Sequence, residues 1–216
     1  MIKENDSFLT LKIAIIGDTD VGKSSIISRY LKPDDELSKD IKSTNGIAFN
    51  KTSIQIENYK ILLDIRDISG KEKSESKICP LLKDINGCLI VYDITNETSF
   101  KNVENWNTLL QKNKLIIPTI IVGNKCDLKN ERKVSDVKGK EMAQKLLCPF
   151  NETSALTSTN INQIFNSIIQ DRLGSYKKEK EEYKKEEKEI ENELNKKKAL
   201  KLKYKKKYED NGNCFC

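Results

Sequence analysis

The segment Gly17-Asp-Thr-Asp-Val-Gly-Lys-Ser24 constrains the fold more than any other feature of the 216-residue sequence. It directly follows an apolar run at 11–16 and leads into a segment of helical period at 25–31. A strand, a glycine-rich turn and a helix in this order form a loop whose backbone N–H groups wrap a phosphate at the helix N-terminus. In this pattern Lys23 reaches the β- and γ-phosphates, and the Ser24 hydroxyl binds Mg²⁺. The residues predicted to line this phosphate loop are Gly17, Asp18, Thr19, Asp20, Val21, Gly22, Lys23, Ser24 and Ser25.

Short apolar runs alternate with segments of helical period along most of the chain. Near-continuous apolar runs are typical of strands that are buried on both faces. Alternating strands and helices predict an α/β fold with a parallel sheet, in which ligands bind beyond the carboxyl ends of the strands. The predicted strands are 11–16, 61–65, 88–92 and 116–122, with a short one around Phe150, and the predicted helices include 25–31, 99–111 and 160–173.

The composition excludes several classes of chemistry. The chain has no His, so it lacks the commonest general base, the Ser-His and Cys-His nucleophilic pairs and the usual zinc ligands. Its six Cys form no Cys-x-x-Cys pair, which predicts a reduced, cytosolic chain. The formal net charge is only +6, so we expect no nucleic-acid partner. The sequence has neither a signal-peptide pattern nor a run of about 18 apolar residues.

The segment Asp67-Ile-Ser-Gly70 stands just after the predicted strand 61–65. After a phosphate loop, an Asp at this place holds Mg²⁺ through water and a Gly amide contacts the γ-phosphate. Alone, Asp-x-x-Gly is an ordinary turn. Its place after the phosphate loop favours the metal-site interpretation, with Ser24 and Asp67 as metal ligands.

Two further strand ends carry polar residues that fit a guanine base. Asn124-Lys125-Cys-Asp127 offers a carboxylate that accepts two hydrogen bonds, from guanine N1 and from the exocyclic amine. This arrangement discriminates guanine from adenine and has no role in an ATP-using enzyme. The segment Thr153-Ser-Ala-Leu156 is a weaker signal, from which a backbone amide would reach the guanine carbonyl oxygen. Its predicted nucleotide contacts are Ser154, Ala155 and Leu156.

With these four segments in order, residues 9–173 resemble the Ras superfamily of small GTPases. Within it the chain is most similar to the Rab family. The similar stretches are Leu89-Ile-Val-Tyr-Asp-Ile-Thr-Asn-Glu-Thr-Ser-Phe100, Asn102-Val-Glu-Asn-Trp106 and the ending Cys214-Phe-Cys216. The resemblance implies the small-GTPase fold, a mostly parallel six-stranded sheet flanked by helices. It also implies a GTP/GDP-dependent switch in vesicle-mediated protein transport, which binds GTP with Mg²⁺ and hydrolyses it to GDP and phosphate.

The resemblance also implies the switch loops and the partners. Thr44 falls where switch I supplies the Thr that binds Mg²⁺ and senses the γ-phosphate, and Gly70 falls where switch II contacts the γ-phosphate through its amide. The predicted catalytic residues are therefore Lys23, Thr44, Gly70 and Lys71. Effectors would bind both switch loops. An exchange factor, an activating protein, a Rab escort protein and a GDP-dissociation inhibitor are the other expected partners.

The departures from the Rab pattern lie around the γ-phosphate and on the effector surface. Lys71 stands where Gln usually orients the attacking water, and it lacks the carbonyl acceptor for that role. We therefore expect slow intrinsic hydrolysis; the alternative is a catalytically inert GTP-bound scaffold. Asp20 replaces a small residue, which predicts repulsion of the phosphates and faster nucleotide exchange. Of the effector-side aromatics Phe49 is retained, while Arg66, Leu81-Leu82 and Ser74 replace the others.

The last part of the chain is rich in Lys and Glu. We predict an N-terminal extension (1–8), a GTP-binding domain (9–173), a charged tail (174–210) and a prenylation terminus (211–216). A seven-residue recurrence of Tyr176, Tyr183 and Ile190 leaves three alternatives open for the tail, namely a solvated helix, disorder or a coiled coil. The resemblance implies geranylgeranyl groups on Cys214 and Cys216. With the lysines of 196–207 they would anchor the chain on the cytoplasmic face of an endomembrane, with a cytosolic pool.

Overall fold

The fold is a six-stranded sheet with helices on both faces. The computed structural model describes residues 7–35, 46–71, 75–113 and 116–210. The strand order is β2-β3-β1-β4-β5-β6; β2 is antiparallel to β3 and the other pairs are parallel. The strands are β1 (Ser7–Ile16), β2 (Ile47–Ile56), β3 (Tyr59–Ile68), β4 (Gly87–Asp93), β5 (Thr119–Asn124) and β6 (Phe150–Glu152). The helices are α1 (Lys23–Leu31), α2 (Glu75–Leu82), α3 (Glu97–Lys101), α4 (Val103–Lys112), α5 (Asp136–Lys145) and α6 (Ile161–Asp210).

Burial explains why the central strands were predicted from the sequence and the edge strand β2 was not. All seven residues of β4 are buried, as expected for a strand covered on both faces. In β2 exposed residues alternate with half-buried ones, because this strand lies at the edge of the sheet. The α/β prediction is confirmed.

Two predicted elements differ from the structure. The predicted strand 116–122 begins only at Thr119, since Pro118 has no N–H to donate to a neighbouring strand. The predicted helix 99–111 is two helices, α3 and α4, that meet at Asn102. The first of them starts early because the Asn96 side chain accepts hydrogen bonds from the N–H groups of Thr98 and Ser99.

Contacts divide the chain into two units, with the boundary after Arg172. The first turns of α6 belong to the first unit, and their buried residues recur at the three- and four-residue spacing of a helix. These residues are Ile161, Ile164, Phe165, Ile168 and Ile169.

The second unit, as far as the structure describes it, continues as helix to Asp210. Residues 181–202 are helical and are all exposed in the single chain, so this part of the tail is not a disordered segment. Among the described residues no helix combines the length and the apolarity that crossing a membrane requires.

Candidate functional site at the carboxyl edge of the sheet

The phosphate loop connects β1 to α1 and is pressed against the neighbouring strands. Gly17 has a φ of 140°, and an added Cβ would lie 2.1 Å from the carbonyl oxygen of Val91 in β4. Gly22 has a φ of 93°, and an added Cβ would lie 2.3 Å from Asn124 Nδ2 in β5. Only glycine fits both positions. The two glycines therefore set the close approach of this loop to the ends of β4 and β5.

Lys23, the first residue of α1, is buried inside the phosphate loop. Its Nζ donates hydrogen bonds to the carbonyl oxygens of Gly17 (2.9 Å) and Asp18 (2.6 Å). Burial lowers the pKa of Lys23 to about 8, although the nearby carboxylates of Asp67, Asp18 and Asp20 act in the opposite direction. A phosphate bound in the loop would bring negative charge to this amine and raise its pKa.

Ser24 and Asp67 bring a hydroxyl and a carboxylate together beside the loop. Asp67 is the ninth residue of β3 and is buried, and Ser24 Oγ donates a hydrogen bond to its Oδ2 at 2.5 Å. No group of three or more His, Cys, Asp or Glu in the described part of the chain could hold a metal ion. Two oxygen ligands completed by phosphate and water match what Mg²⁺ takes in phosphate-binding sites. The donor set of this site therefore fits Mg²⁺.

Gly70 lies against the phosphate loop. An added Cβ at Gly70 would lie 2.3 Å from both Asp18 C and Thr19 N. The turn after β3 is thus packed directly on the phosphate loop. Lys71 follows it and is exposed, and its N–H donates to Ser69 Oγ at 3.3 Å. Thr44, the fourth predicted catalytic residue, lies outside the described residues.

Asn124 connects the phosphate loop with the segment after β6. It is buried at the end of β5, and its Nδ2 donates to the carbonyl oxygen of Val21 at 2.9 Å. Its Oδ1 accepts a hydrogen bond from Thr153 Oγ1 at 3.1 Å. The structure therefore brings together three of the segments that the sequence singled out.

Lys125 and Asp127 are each fixed by a side chain from another segment. Lys125 Nζ lies 2.7 Å from Asp93 Oδ2, at the end of β4. Asp127 Oδ1 accepts a hydrogen bond from Ser154 Oγ at 2.5 Å. The Ser154 hydroxyl therefore orients the carboxylate that was predicted to bind guanine. Leu156, in the same segment as Ser154, is 66% exposed.

Sequence reasoning missed several residues that hold these loops. Asp93 ends an apolar run at the carboxyl edge of the sheet, so the strand-end rule could have found it. Asp18 accepts hydrogen bonds from Asn102 Nδ2 (2.6 Å) and Trp106 Nε1 (2.9 Å), more than 80 residues away. Arg29 donates from Nε to the carbonyl oxygen of Ala155 at 2.9 Å. No local sequence signal indicates these last two contacts.

The effector-side residues also form one group. Phe49 is 57% exposed, and the Arg66 guanidinium lies 5.9 Å from its ring centroid. Arg66 Nη1 donates to the carbonyl oxygens of Leu81 (2.7 Å) and Lys83 (3.0 Å), at the end of α2. Leu82 is fully buried, so it is a core residue and not part of the exposed surface. Ser74 lies outside the described residues.

Comparisons with known proteins identify the family of this chain. The profile of the Ras family matches residues 12–173. The chain is 39% identical over 161 residues to Ras-related protein RABA5e of Arabidopsis thaliana, which covers 74% of this chain and 73% of the relative. It is 41% identical over 158 residues to Ras-related protein Rab-11B of Dictyostelium discoideum, covering 73% and 71%. It is 34% identical over 163 residues to Ras-related protein Rab-13 of Canis lupus familiaris, covering 75% and 79%.

The match to the Ras family, over residues 12–173, includes every described segment of the site. The matches support guanine-nucleotide binding, GTP hydrolysis and a role in vesicle trafficking for this chain. The chain therefore belongs to the Ras family, as a small GTPase of the Rab type.

Proposed function

We propose that this chain is a Rab-type switch that binds guanine nucleotide tightly, with Mg²⁺, and hydrolyses GTP slowly. One observation carries the proposal. The base and phosphate segments interlock through buried side chains, whereas the position that follows Gly70 is an exposed Lys. Binding and hydrolysis thus depend on different groups: Lys71 changes the hydrolytic group, whereas the buried residues that join the base and phosphate segments follow the family pattern.

Base recognition in this proposal is performed by Asp127. Its carboxylate accepts hydrogen bonds from guanine N1–H and from the exocyclic amine, neither of which adenine offers in that place. Ser154 Oγ holds the carboxylate in orientation through the 2.5 Å hydrogen bond. Asn124 fixes the loops on either side of the base, and the segment that includes Ala155 and Leu156 supplies backbone contacts to the base.

The loop amides and Lys23 would bind the phosphates, and Mg²⁺ would be held by Ser24, by Asp67 through water and by Thr44. Mg²⁺ neutralises charge on the β- and γ-phosphate oxygens when it is bound. Lys23 exchanges carbonyl acceptors for phosphate oxygens, and the amide of Gly70 donates to the γ-phosphate. These positioned charges and donors account for most of the catalysis in this class of enzyme.

Lys71 is the reason for slow hydrolysis. Orienting a nucleophilic water requires an acceptor for one of its protons as well as a donor, and an ammonium group has donors only. Lys71 therefore cannot hold the attacking water in line as Gln does. An activating protein that supplies its own Gln and Arg would bypass this defect.

The test is single-turnover GTP hydrolysis by the full chain and by its Lys71→Gln variant. We expect Lys71→Gln to increase the rate by about tenfold or more, because it restores the missing acceptor. Lys71→Met is the matched control: it keeps the length of the side chain, lacks both the charge and a strong acceptor, and should stay slow. Equal rates for the wild type and Lys71→Gln would contradict the proposal.

The second candidate function is an inert GTP-bound scaffold, favoured by the same exposed Lys71 and by Asp20. In that case partners would bind the switch loops and the charged tail, and the nucleotide would be structural. The two functions differ in one result. A scaffold releases no phosphate even with a Rab-type activating domain, whereas a slow switch releases phosphate faster when the domain is added.

We also propose a lipid anchor and a set of partners. Geranylgeranyl groups on Cys214 and Cys216, both outside the described residues, would supply the two chains that stable anchoring requires. Each of the eight Lys in 196–207 would add roughly 1 kcal/mol near an anionic cytoplasmic leaflet. An exchange factor, an activating protein, an escort protein, a GDP-dissociation inhibitor and effectors on the switch loops complete the proposal.

Membrane anchoring is tested with prenylated chain and anionic vesicles. The prenylated chain should sediment with the vesicles. The unmodified Cys214→Ser, Cys216→Ser chain should bind only at low salt, through its lysines. Equal vesicle binding by both chains at high salt would rule out the lipid anchor.

A further inference from the structure

A seam of residues runs along the exposed part of α6. Its members are separated alternately by four and three residues, which places them on one face of the helix and repeats every seven residues. Three of them are large apolar side chains that are at least half exposed, Tyr183 (64%), Ile190 (68%) and Leu194 (50%). The full seam over the described side chains is Tyr183, Glu187, Ile190, Leu194, Lys197 and Lys201.

The charge of this helix changes sign along its length. Residues 186–193 contain five acidic residues and one Lys, whereas residues 196–207 contain eight Lys and no acidic residue. Two parallel copies would place Glu187 on Glu187, and the eight Lys of 196–207 on the same eight Lys. Two antiparallel copies centred at residue 192 separate the two basic blocks and place Glu186 and Glu187 of each opposite Lys198 and Lys197 of the other. Charge complementarity therefore selects a second copy of this chain, in antiparallel orientation.

The seam itself has one antiparallel register in which every layer is complementary. With residue 192 of the two copies at the centre, Ile190 lies opposite the partner's Leu194. Glu187 then lies opposite the partner's Lys197, and Tyr183 opposite the partner's Lys201. Two-fold symmetry repeats each layer, which gives two apolar layers, two ion pairs and two pairs of Lys with Tyr. In the parallel alignment Glu187, Lys197 and Lys201 would each meet their own copy.

We propose that residues 183–201 form a two-stranded antiparallel coiled coil with a second copy of this chain. The seam supplies the apolar contact, and the charge pattern supplies the orientation and the register. This association is independent of nucleotide hydrolysis and of the lipid anchor.

A charge exchange between the two seam positions tests the proposal. The full chain is used, with Cys214→Ser and Cys216→Ser to prevent chance disulfides, and its dimerisation is measured by sedimentation equilibrium. Glu187→Lys and Lys197→Glu each turn two ion pairs into two repulsive pairs, and each should weaken dimerisation by about tenfold. The double variant Glu187→Lys, Lys197→Glu should regain the wild-type association constant. Within one helix these positions are about 15 Å apart, so the recovery has to arise between two copies.

Matched controls make the same changes of charge off the seam. Glu189→Lys and Lys196→Glu lie on the side of the helix away from the seam and should change dimerisation less than about twofold. A mixture of Glu187→Cys and Lys197→Cys chains gives an independent test of the register. Antiparallel pairing predicts disulfides between the two different chains, and parallel pairing predicts disulfides between identical chains.

Three results would overturn the proposal. They are a monomer at every concentration up to about 1 mM, a dimer that the double variant fails to restore, and disulfides mainly between identical chains. The expected result is a weak dimer that each single exchange weakens and the double exchange restores.

Discussion

The two sides of the nucleotide site keep the Rab pattern to different degrees. On the base side Asn124, Lys125 and Asp127 stand as in the family, and each is held by a side chain from another segment. Those side chains are Thr153, Asp93 and Ser154. On the other side, Asp20 in the phosphate loop and Lys71 after Gly70 depart from the family, and both are exposed.

This difference indicates that nucleotide affinity and GTP hydrolysis depend on different residues. The base-side residues hold one another and the loops, so losing one leaves its partners without a hydrogen bond in a buried place. An exposed residue beside the γ-phosphate can be exchanged without disturbing this network. A chain of this kind can therefore keep its affinity for guanine nucleotide while its rate of GTP hydrolysis falls.

The largest effect is expected on the base side, from Asp127→Asn. The amide donates where guanine also donates, so affinity for GDP should fall by about a thousandfold or more. Xanthosine diphosphate has a carbonyl in place of the exocyclic amine and should bind this variant better than GDP does. Ser154→Ala, which only removes the orienting hydroxyl, should lower the affinity for GDP by about tenfold.

Nucleotide affinities of these variants, measured by competition with a fluorescent GDP, check this prediction. If Asp127→Asn kept its affinity for GDP, the base side would not recognise guanine through this carboxylate.

The second-largest effect is expected from pH, which changes nucleotide affinity through the protonation of Lys23. Its pKa is about 8 in the protein alone, and bound phosphate raises it. Affinity should therefore be constant below pH 8 and fall by about tenfold per pH unit above it, because binding then has to return a proton to the amine. Calorimetry in buffers of different ionisation enthalpy should find almost no proton uptake at pH 7 and about one proton at pH 9. Equal uptake at both pH values would show that Lys23 does not meet the phosphates.

The smallest effect is expected at Asp20 on the γ-phosphate side. Its φ of 63° lies in the left-handed region, where Asn and Gly are also tolerated. Asp20→Asn and Asp20→Gly both remove the charge, and both should slow nucleotide dissociation by about two- to fivefold. A stopped-flow dissociation rate that neither change alters would make this carboxylate a bystander that faces solvent.

The residues of the site that could be predicted are those whose role is local in the sequence. Gly17 and Gly22 are required by backbone conformation, and Asp67, Asn124 and Asp127 stand at strand ends, where a parallel sheet gathers ligand-binding residues. The positioning residues could not be predicted in the same way. Trp106 reaches Asp18 across 88 positions, and Arg29 reaches Ala155 across 126, because tertiary packing and not local pattern brings them together.

The same reason explains where the predicted strands and helices differ from the structure. The edge strand β2 alternates between exposed and half-buried residues and has no continuous apolar run to mark it. The helix predicted over 99–111 breaks at Asn102, whose side chain donates to Asp18 in the phosphate loop. In the tail, a seven-residue spacing with charged residues at half of its positions leaves the coiled coil open as one of three alternatives.

The central claim is that tight guanine binding coexists with slow hydrolysis. The most direct measurement loads the full chain with Mg²⁺-GTP and follows nucleotide release and phosphate release in one sample, with excess ATP present. We expect GTP to be retained against ATP and phosphate to appear slowly, at a rate that Lys71→Gln increases. Displacement by ATP, or phosphate release as fast as that of Lys71→Gln, would contradict it.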